Sequence, residues 1–312
     1  MTKYPFKEKA DEFMLTRKGV LTEISWKNLD RRLRRIDREM IRLKEEGKVS
    51  TLSPKSMTED DIKAFLIYRK GKRVGSSDLS HDISALDQLL SYSDNTAVQK
   101  CLRLNPGLKP SGKKSRRLDP LSEDTYRAVL NAYEDIDHQD FRTVRAFSLV
   151  LTYIGTGARN KELRLAKISD LDTKEWIIHY EHVKGEESYG EPRNVPIPQE
   201  LIPVMKQYLY DRDVYLAAHH ARSDALFFQL GGKYDHLSGN SIRTSKQIVE
   251  KAIGQKFELR DCRRGFGDMY IRKGLSIEQV SVLMGHASTR TTEHYYCRKC
   301  ESEVIKEAKK LW

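Results

Sequence analysis

Between Glu23 and Glu46 the apolar residues Trp26, Leu29, Leu33, Ile36, Met40 and Leu43 recur at intervals of three and four. That spacing places them on one stripe of a helix, and Gly47 follows where a C-terminal cap would end it. A second helix is predicted from Thr58, with Asp61 three residues on as a capping-box partner. A third runs through ISALDQLLSY, with Ile83, Leu86, Leu89 and Leu90 facing inward. The periodicity then stops. NPGLKPSGKKSRRLDP, Asn105 to Pro120, holds three prolines, two glycines and five basic residues with almost nothing to bury, and reads as an interdomain linker.

Helical patterns return after Leu121, in FRTVRAFSLVLTYIG and from about Glu200 to Ala218. Short β-type segments interrupt them: WIIHYEHV (Trp176 to Val183), RNVPIP (Arg193 to Pro198) and ALFF (Ala225 to Phe228). The first two flank KGEESYGEP, a hydrophilic stretch suited to a hairpin turn. The expected division is a helical domain over 1–104, a linker over 105–120 and a second domain with a terminal tail over 121–312. Neither repeats nor low-complexity segments interrupt this plan.

Charge narrows the partner. Lys and Arg total 56 against 45 Asp and Glu, a formal net charge of +11 with a pI near 9.3. Such a surplus favours a polyanion, because neutralising phosphates releases counterions, although net charge alone fits a merely soluble basic protein equally well. Two runs concentrate the charge: RRLRR, with Arg31, Arg32, Arg34 and Arg35, and KKSRR, with Lys113, Lys114, Arg116 and Arg117. A solvated helix face also accounts for the first run. The second sits in the linker, where it suits a chain lying along a phosphate backbone. No apolar run approaches the roughly 20 residues of a membrane helix, the N-terminus lacks a signal-peptide core, and four cysteines do not make a secreted disulfide framework. The expectation is a soluble, cytoplasmic protein associated with the nucleoid.

Four pieces of the second domain combine cations with hydrogen-bond donors. In GTGARNKELRLAKISDLD, Arg159 follows a Gly-rich turn and opens a helix, whose N-terminus favours an anion. Its guanidinium fork matches two phosphate oxygens. Lys184 stands at the start of the hairpin turn, where a proton donor could reach a substrate. In LRDCRRGFGDMY, Arg260 and Arg263 are three apart and share a helix face, with Phe266, Met269 and Tyr270 as apolar backing. In LMGHASTRTTEHYY, His286 follows a Gly turn and precedes Tyr295 by nine residues, with Tyr296 directly behind. No paired-carboxylate, Walker-type or Ser-His-Asp pattern accompanies them. His294, Cys297 and Cys300 could begin a zinc site, but a structural site needs a fourth ligand, and no metal is expected.

The order Arg159, Lys184, Arg260-x-x-Arg263, His286, Tyr295 resembles the tyrosine recombinase (integrase) family, particularly its archaeal mobile-element branch. TGARNKELRLAKISDLD is similar to the family's first arginine box, with Glu162 where an acidic residue commonly sits, and LMGHASTRTTEHYY to its second. Arg260 departs from the pattern, since the family usually has histidine there. Reading Phe257 and Arg260 as that pair instead would cost Phe266 its usual place three residues after the arginine. The resemblance implies a mainly α fold with a small antiparallel sheet, in two domains: an α-helical core-binding domain and a mixed α/β catalytic domain, together clamping duplex DNA.

It also implies a mechanism. Arg159 and Arg263, helped by Arg260 and His286, would hold the extra charge of a pentavalent phosphate. Lys184 would protonate the leaving 5′ oxygen, and Tyr295 would carry the phosphate as a 3′ ester, with no cofactor. Tyr296 is expected to pack. The implied partners are an attachment-site duplex and further copies of this chain, as a tetramer on synapsed DNA, with no membrane. The final EVIKEAKKLW, apolar at Val304, Ile305, Ala308, Leu311 and Trp312, suits a helix lent to a neighbouring protomer. A type IB topoisomerase and a non-enzymatic DNA-binding repressor are the alternative functions, and the complete residue set argues against the second.

Overall fold

The computed structural model describes residues 4–110, 120–183, 191–286, 288–296 (294–296 as backbone), and 305, 308, 309 and 311. The chain divides into two compact units, Met1–Arg116 and Arg117–Trp312, each with its own apolar core.

The first unit is helical throughout its described length: α1 (Pro5–Thr16), α2 (Glu23–Glu45), α3 (Glu59–Gly71), α4 (Ser76–Tyr92) and α5 (Ala97–Leu104). Thr22 caps α2 by accepting from the Ser25 amide at 3.3 Å. Leu33, Ile36, Met40 and Leu43 of its stripe are fully buried, and Trp26 and Leu29 pack at the edge of the same core. Gly47 ends the helix at φ +70°, a conformation that favours glycine. At α3, Thr58 and Asp61 exchange amide bonds of 2.9 and 3.3 Å, and the Asp61 carboxylate also ties down Ser50. The stretch read as linker begins inside this unit. A 3-10 turn at Pro106–Leu108 packs Leu108 on its core, and Lys70 bonds the Gly107 carbonyl.

The second unit contains α6 (Glu123–Glu134), α7 (Phe141–Thr156) and α8 (Asn160–Leu165), then β1 (Leu171–Asp172), β2 (Ile177–Tyr180) and β3 (Arg193–Pro196). After these come α9 (Ile202–Ala218), α10 (Gly239–Ile253), α11 (Leu259–Arg272), α12 (Ile277–Met284) and α13 (Thr289–Tyr296). Helix α7 is buried along most of its length, polar Arg145, Ser148 and Thr152 included, because α6, α9, α10 and α11 surround it. The sheet is antiparallel in the order β1-β2-β3, with Ile178 opposite Val195 and Tyr180 opposite Arg193. The fold is therefore mainly α with a small antiparallel sheet, as the pattern and the resemblance implied.

ALFF is not a strand. Ala225–Phe228 is a fully buried connection with isolated bridges in place of a ladder, Lys167 with Ala225 and Phe228 with His236, and side-chain donors such as Tyr208 and Arg212 on the carbonyls of Leu226 and Ala225. An apolar run of that length has no periodicity of its own, so burial from all sides satisfies it without a ladder. α1, α5, α6, α10, α12, α13 and β1 are elements that the sequence pattern did not single out.

Candidate active site

The turn before Arg159 shows why glycine precedes it. Gly157 lies at φ +57°, and a Cβ there would come within 2.7 Å of the Phe266 ring. α7 and α11 approach so closely at this point that only a bare backbone fits. Arg159 is the N-cap of α8, and its amide and guanidinium both bond Glu162, at 2.7 and 2.6 Å. The carboxylate thus occupies the first amide of this turn.

Glu162 gathers a cluster. Its side chain is completely buried, yet three guanidinium groups reach it from separate segments: Arg159 at 2.6 Å, Arg193 at 2.7 Å and Arg263 at 3.8 Å. Burial by itself would raise the carboxyl, but Arg193 and then Arg263 and Arg159 hold it down at about 2. Arg263 is buried on α11, donating to the Gly157 carbonyl at 2.6 Å and to the Met284 carbonyl. His286 completes the group. Its Nε2 lies 3.2 Å from Arg263, and its Nδ1 lies 2.8 Å from the Thr292 hydroxyl on α13. Burial first, then the neighbouring Arg263, Arg159 and Arg193, push its pKa down to about 3, so the ring is neutral at physiological pH. Three guanidinium groups against one carboxylate leave two positive charges in excess, focused where Arg159 remains one-quarter exposed. Fixed, partly desolvated cations of this kind suit an anion with several oxygens.

Arg193 was not among the sequence candidates. It lies on β3, where burial alternates from Arg193 to Pro196 with Arg193 and Val195 inward. Its guanidinium bonds the Leu283 carbonyl and sits 4.9 Å from the Tyr180 ring centroid. Gly285, at φ +58°, leaves room for it, since a Cβ there would meet Arg193 Cδ at 2.8 Å. A charge at an inward strand position was the signal available in RNVPIP.

Of the other candidates, Arg260 stands apart from this cluster. Arg260 is exposed near the start of α11, lining an open basic groove with Asn160, Arg243 and Lys246. Although three residues from Arg263, it makes no ion pair among the described residues. Tyr295 lies on α13, which packs against α11 and α12. Lys184 falls outside the described residues, as do Lys113, Lys114, Arg116, Arg117, Cys297 and Cys300. In the first unit Arg32 and Arg35 are committed to ion pairs with Asp82, whose side chain is fully buried, and with Asp78. Arg34 pairs with Asp30 and Asp11. Arg31 is exposed, without an ion pair among the described residues. A groove runs between α2 and α4, lined by Arg31, Arg32, Arg35 and Arg38 with His81 and Gln88. Among the described residues, no group of three His, Cys, Asp or Glu could hold a metal ion, and no helix is long and apolar enough to cross a membrane.

Comparison with known proteins gives the family and the fold. The sequence profile of the Phage integrase family matches residues 120–301. The tyrosine recombinase XerA of Pyrococcus furiosus is 30% identical over 257 residues, covering 81% of this chain and 80% of that one. In fold, the chain is similar to the XerH site-specific recombinase bound to a palindromic difH substrate, with a TM-score of 0.75, 16% identity and coverage of 98% and 96%. It also resembles a lambda integrase tetramer bound to a Holliday junction, with a TM-score of 0.58, 16% identity and coverage of 94% and 78%.

Proposed function

We propose, from the premise that this chain belongs to the phage integrase family, that its buried arginine cluster is the phosphate site of a DNA strand transfer reaction. The chain is a site-specific DNA recombinase. The observation that carries the assignment of roles is the convergence of Arg159, Arg193 and Arg263 on the one buried Glu162 beside His286. Such a group is rigid before substrate arrives and carries surplus positive charge, as electrostatic stabilisation of a transition state requires.

In our reading Tyr295 attacks the scissile phosphorus. A bond forms from its phenolic oxygen to phosphorus, the phenolic proton passing to solvent, as the bond to the 5′ oxygen breaks, leaving a 3′-phosphotyrosine. The non-bridging oxygens gain charge at the pentavalent stage and are held by Arg159 and Arg263, with Arg260 reaching from the groove mouth. Lys184 delivers a proton to the departing 5′ oxygen. The ester conserves the energy of the cut bond, so a 5′ hydroxyl from the partner duplex reseals the strand without ATP.

Duplex DNA at an attachment site is the substrate. Arg31 in the helical unit (residues 1–104), its neighbours Arg32, Arg34 and Arg35 on exchanging their carboxylate partners for phosphate, and Lys113, Lys114, Arg116 and Arg117 in the linker (105–120) contribute backbone contacts. Residues 121–312 carry the chemistry. Four copies on two synapsed duplexes complete the exchange, a reading in keeping with the lambda integrase tetramer bound to a Holliday junction, and the setting is the nucleoid in the cytoplasm. Two labelled duplexes carrying the attachment sequence test the proposal. Recombinant strands are expected, whereas relaxation of supercoiled DNA without exchange would contradict it.

A further inference from the structure

We propose that Thr292 is a positioning residue for the reaction: its hydroxyl selects the tautomer of His286 and ties the nucleophile-bearing helix α13 to the arginine cluster. The proposal rests on the reading above that Tyr295, three residues further along α13, is the nucleophile.

The Arg263 guanidinium carries only N–H groups and cannot accept a hydrogen bond. Its nitrogen lies 3.2 Å from His286 Nε2, so that contact requires a bare Nε2 with its lone pair toward arginine. The proton of a neutral ring then resides on Nδ1, and the Thr292 oxygen at 2.8 Å accepts it. Threonine oxygen has lone pairs to spare, whereas a valine of the same shape has none. The environment opposes the other protonation states. A doubly protonated ring would turn an N–H toward Arg263 with Arg159 and Arg193 nearby, and those charges together with burial oppose it. A ring protonated on Nε2 alone would confront the same arginine donor and leave Nδ1 to be satisfied by the Thr292 hydrogen.

The geometry is also local to this purpose. Thr292 is fully buried, the His286 amide is fixed to the Ser281 carbonyl at 3.0 Å, and Gly285 turns the chain between them at φ +58°. The Nδ1–Thr292 bond therefore links the end of α12 to the middle of α13. Its consequence is that His286 enters the reaction as a neutral acceptor orienting Arg263, rather than as a third cation on the phosphate. Docking of α13 and orientation of Arg263 become one event, since the same imidazole makes both bonds.

The test uses the full-length protein. Histidines are labelled with 15N, and the His286 ring is assigned by the signal that disappears in His286→Gln. In the wild type without DNA, Nδ1 is expected to be protonated and Nε2 bare, unchanged between pH 8 and pH 5. Thr292→Val should gain the Nε2-protonated form. It should also cleave a nicked suicide duplex more slowly in a single turnover, on the order of tenfold to a hundredfold, while binding that duplex with unchanged affinity. Thr292→Ser, which keeps the hydroxyl, should restore both the spectrum and the rate. A wild-type ring protonated on Nε2, a valine variant that cleaves at the wild-type rate, or a serine variant as slow as valine would each overturn the proposal. Failure of the wild type to form any adduct would count against the recombination chemistry instead, and the ring spectrum would still decide the role of Thr292.

Discussion

Replacing Glu162 with glutamine keeps the volume and one acceptor oxygen but removes the negative charge on which three buried or half-buried guanidinium groups converge. Two lines give the magnitude. A carboxyl held at about 2 in the folded chain, against about 4.3 for a free glutamate, contributes about 3 kcal/mol at neutral pH, at 1.4 kcal/mol per pH unit. Removing one partner of a buried ion pair costs about 3–5 kcal/mol by mutational precedent. Glu162→Gln should therefore destabilise the second unit by about 3 kcal/mol at pH 7. The sign follows from a folded pKa depressed below the unfolded one. The stabilisation is complete above about pH 4.5 and is lost as pH falls toward 2, so the gap between wild type and variant should shrink to less than half by pH 3. Urea unfolding followed by tryptophan fluorescence in a Trp26→Phe background leaves both remaining tryptophans, Trp176 and Trp312, in the second unit. A gap under about 1 kcal/mol at pH 7, or one unchanged at pH 3, would refute the view that Glu162 organises the cluster.

Arg260→Ala should slow cleavage less than Arg159→Ala or Arg263→Ala, because Arg260 is exposed while the other two are anchored on Glu162. A single-turnover assay should find each of the latter reduced on the order of a hundredfold, and equal defects at all three positions would contradict the ranking. Replacing Lys113, Lys114, Arg116 and Arg117 together with alanine should weaken binding to cognate and random duplexes alike. If each meets one phosphate, the slope of log affinity against log salt should flatten by roughly 3.6; a loss confined to cognate DNA would mean that these residues read bases. Strand exchange should proceed fully in excess EDTA, and activity lost there and restored by a divalent ion would contradict a mechanism built on side chains.

The parts of this molecule legible in its sequence are those decided within a few residues. The stripe from Leu33 to Leu43 and the Thr58–Asp61 capping box are local, and the structure has both. The Gly turn before Arg159 was visible as well, but its cause, the Phe266 ring pressed against Gly157, lies more than a hundred residues away. Long-range pairing is what the sequence could not display. RRLRR looked like a free basic face, yet Arg32 and Arg35 find Asp78 and Asp82 on another helix. Arg193 was passed over because one charged residue in a four-residue strand is a weak signal until Glu162 is seen beneath it. The contrast between Arg260 and Arg263 was hidden for a similar reason: positions three apart share a helix face, but the groove opens beside the first and the core closes over the second.

Tyr295 carries the phosphate in the proposed reaction, and a suicide duplex nicked beside the cleavage position tests that role most directly. Cleavage releases a short fragment, resealing is lost, and the covalent protein–DNA adduct accumulates for peptide mapping. The wild type should place the phosphate on Tyr295. Tyr295→Phe should bind the duplex normally and form no adduct, and Tyr296→Phe should still cleave. Phosphate mapped to Tyr296, or an adduct persisting in Tyr295→Phe, would contradict the assignment of the nucleophile, and an adduct on neither tyrosine would contradict the mechanism itself.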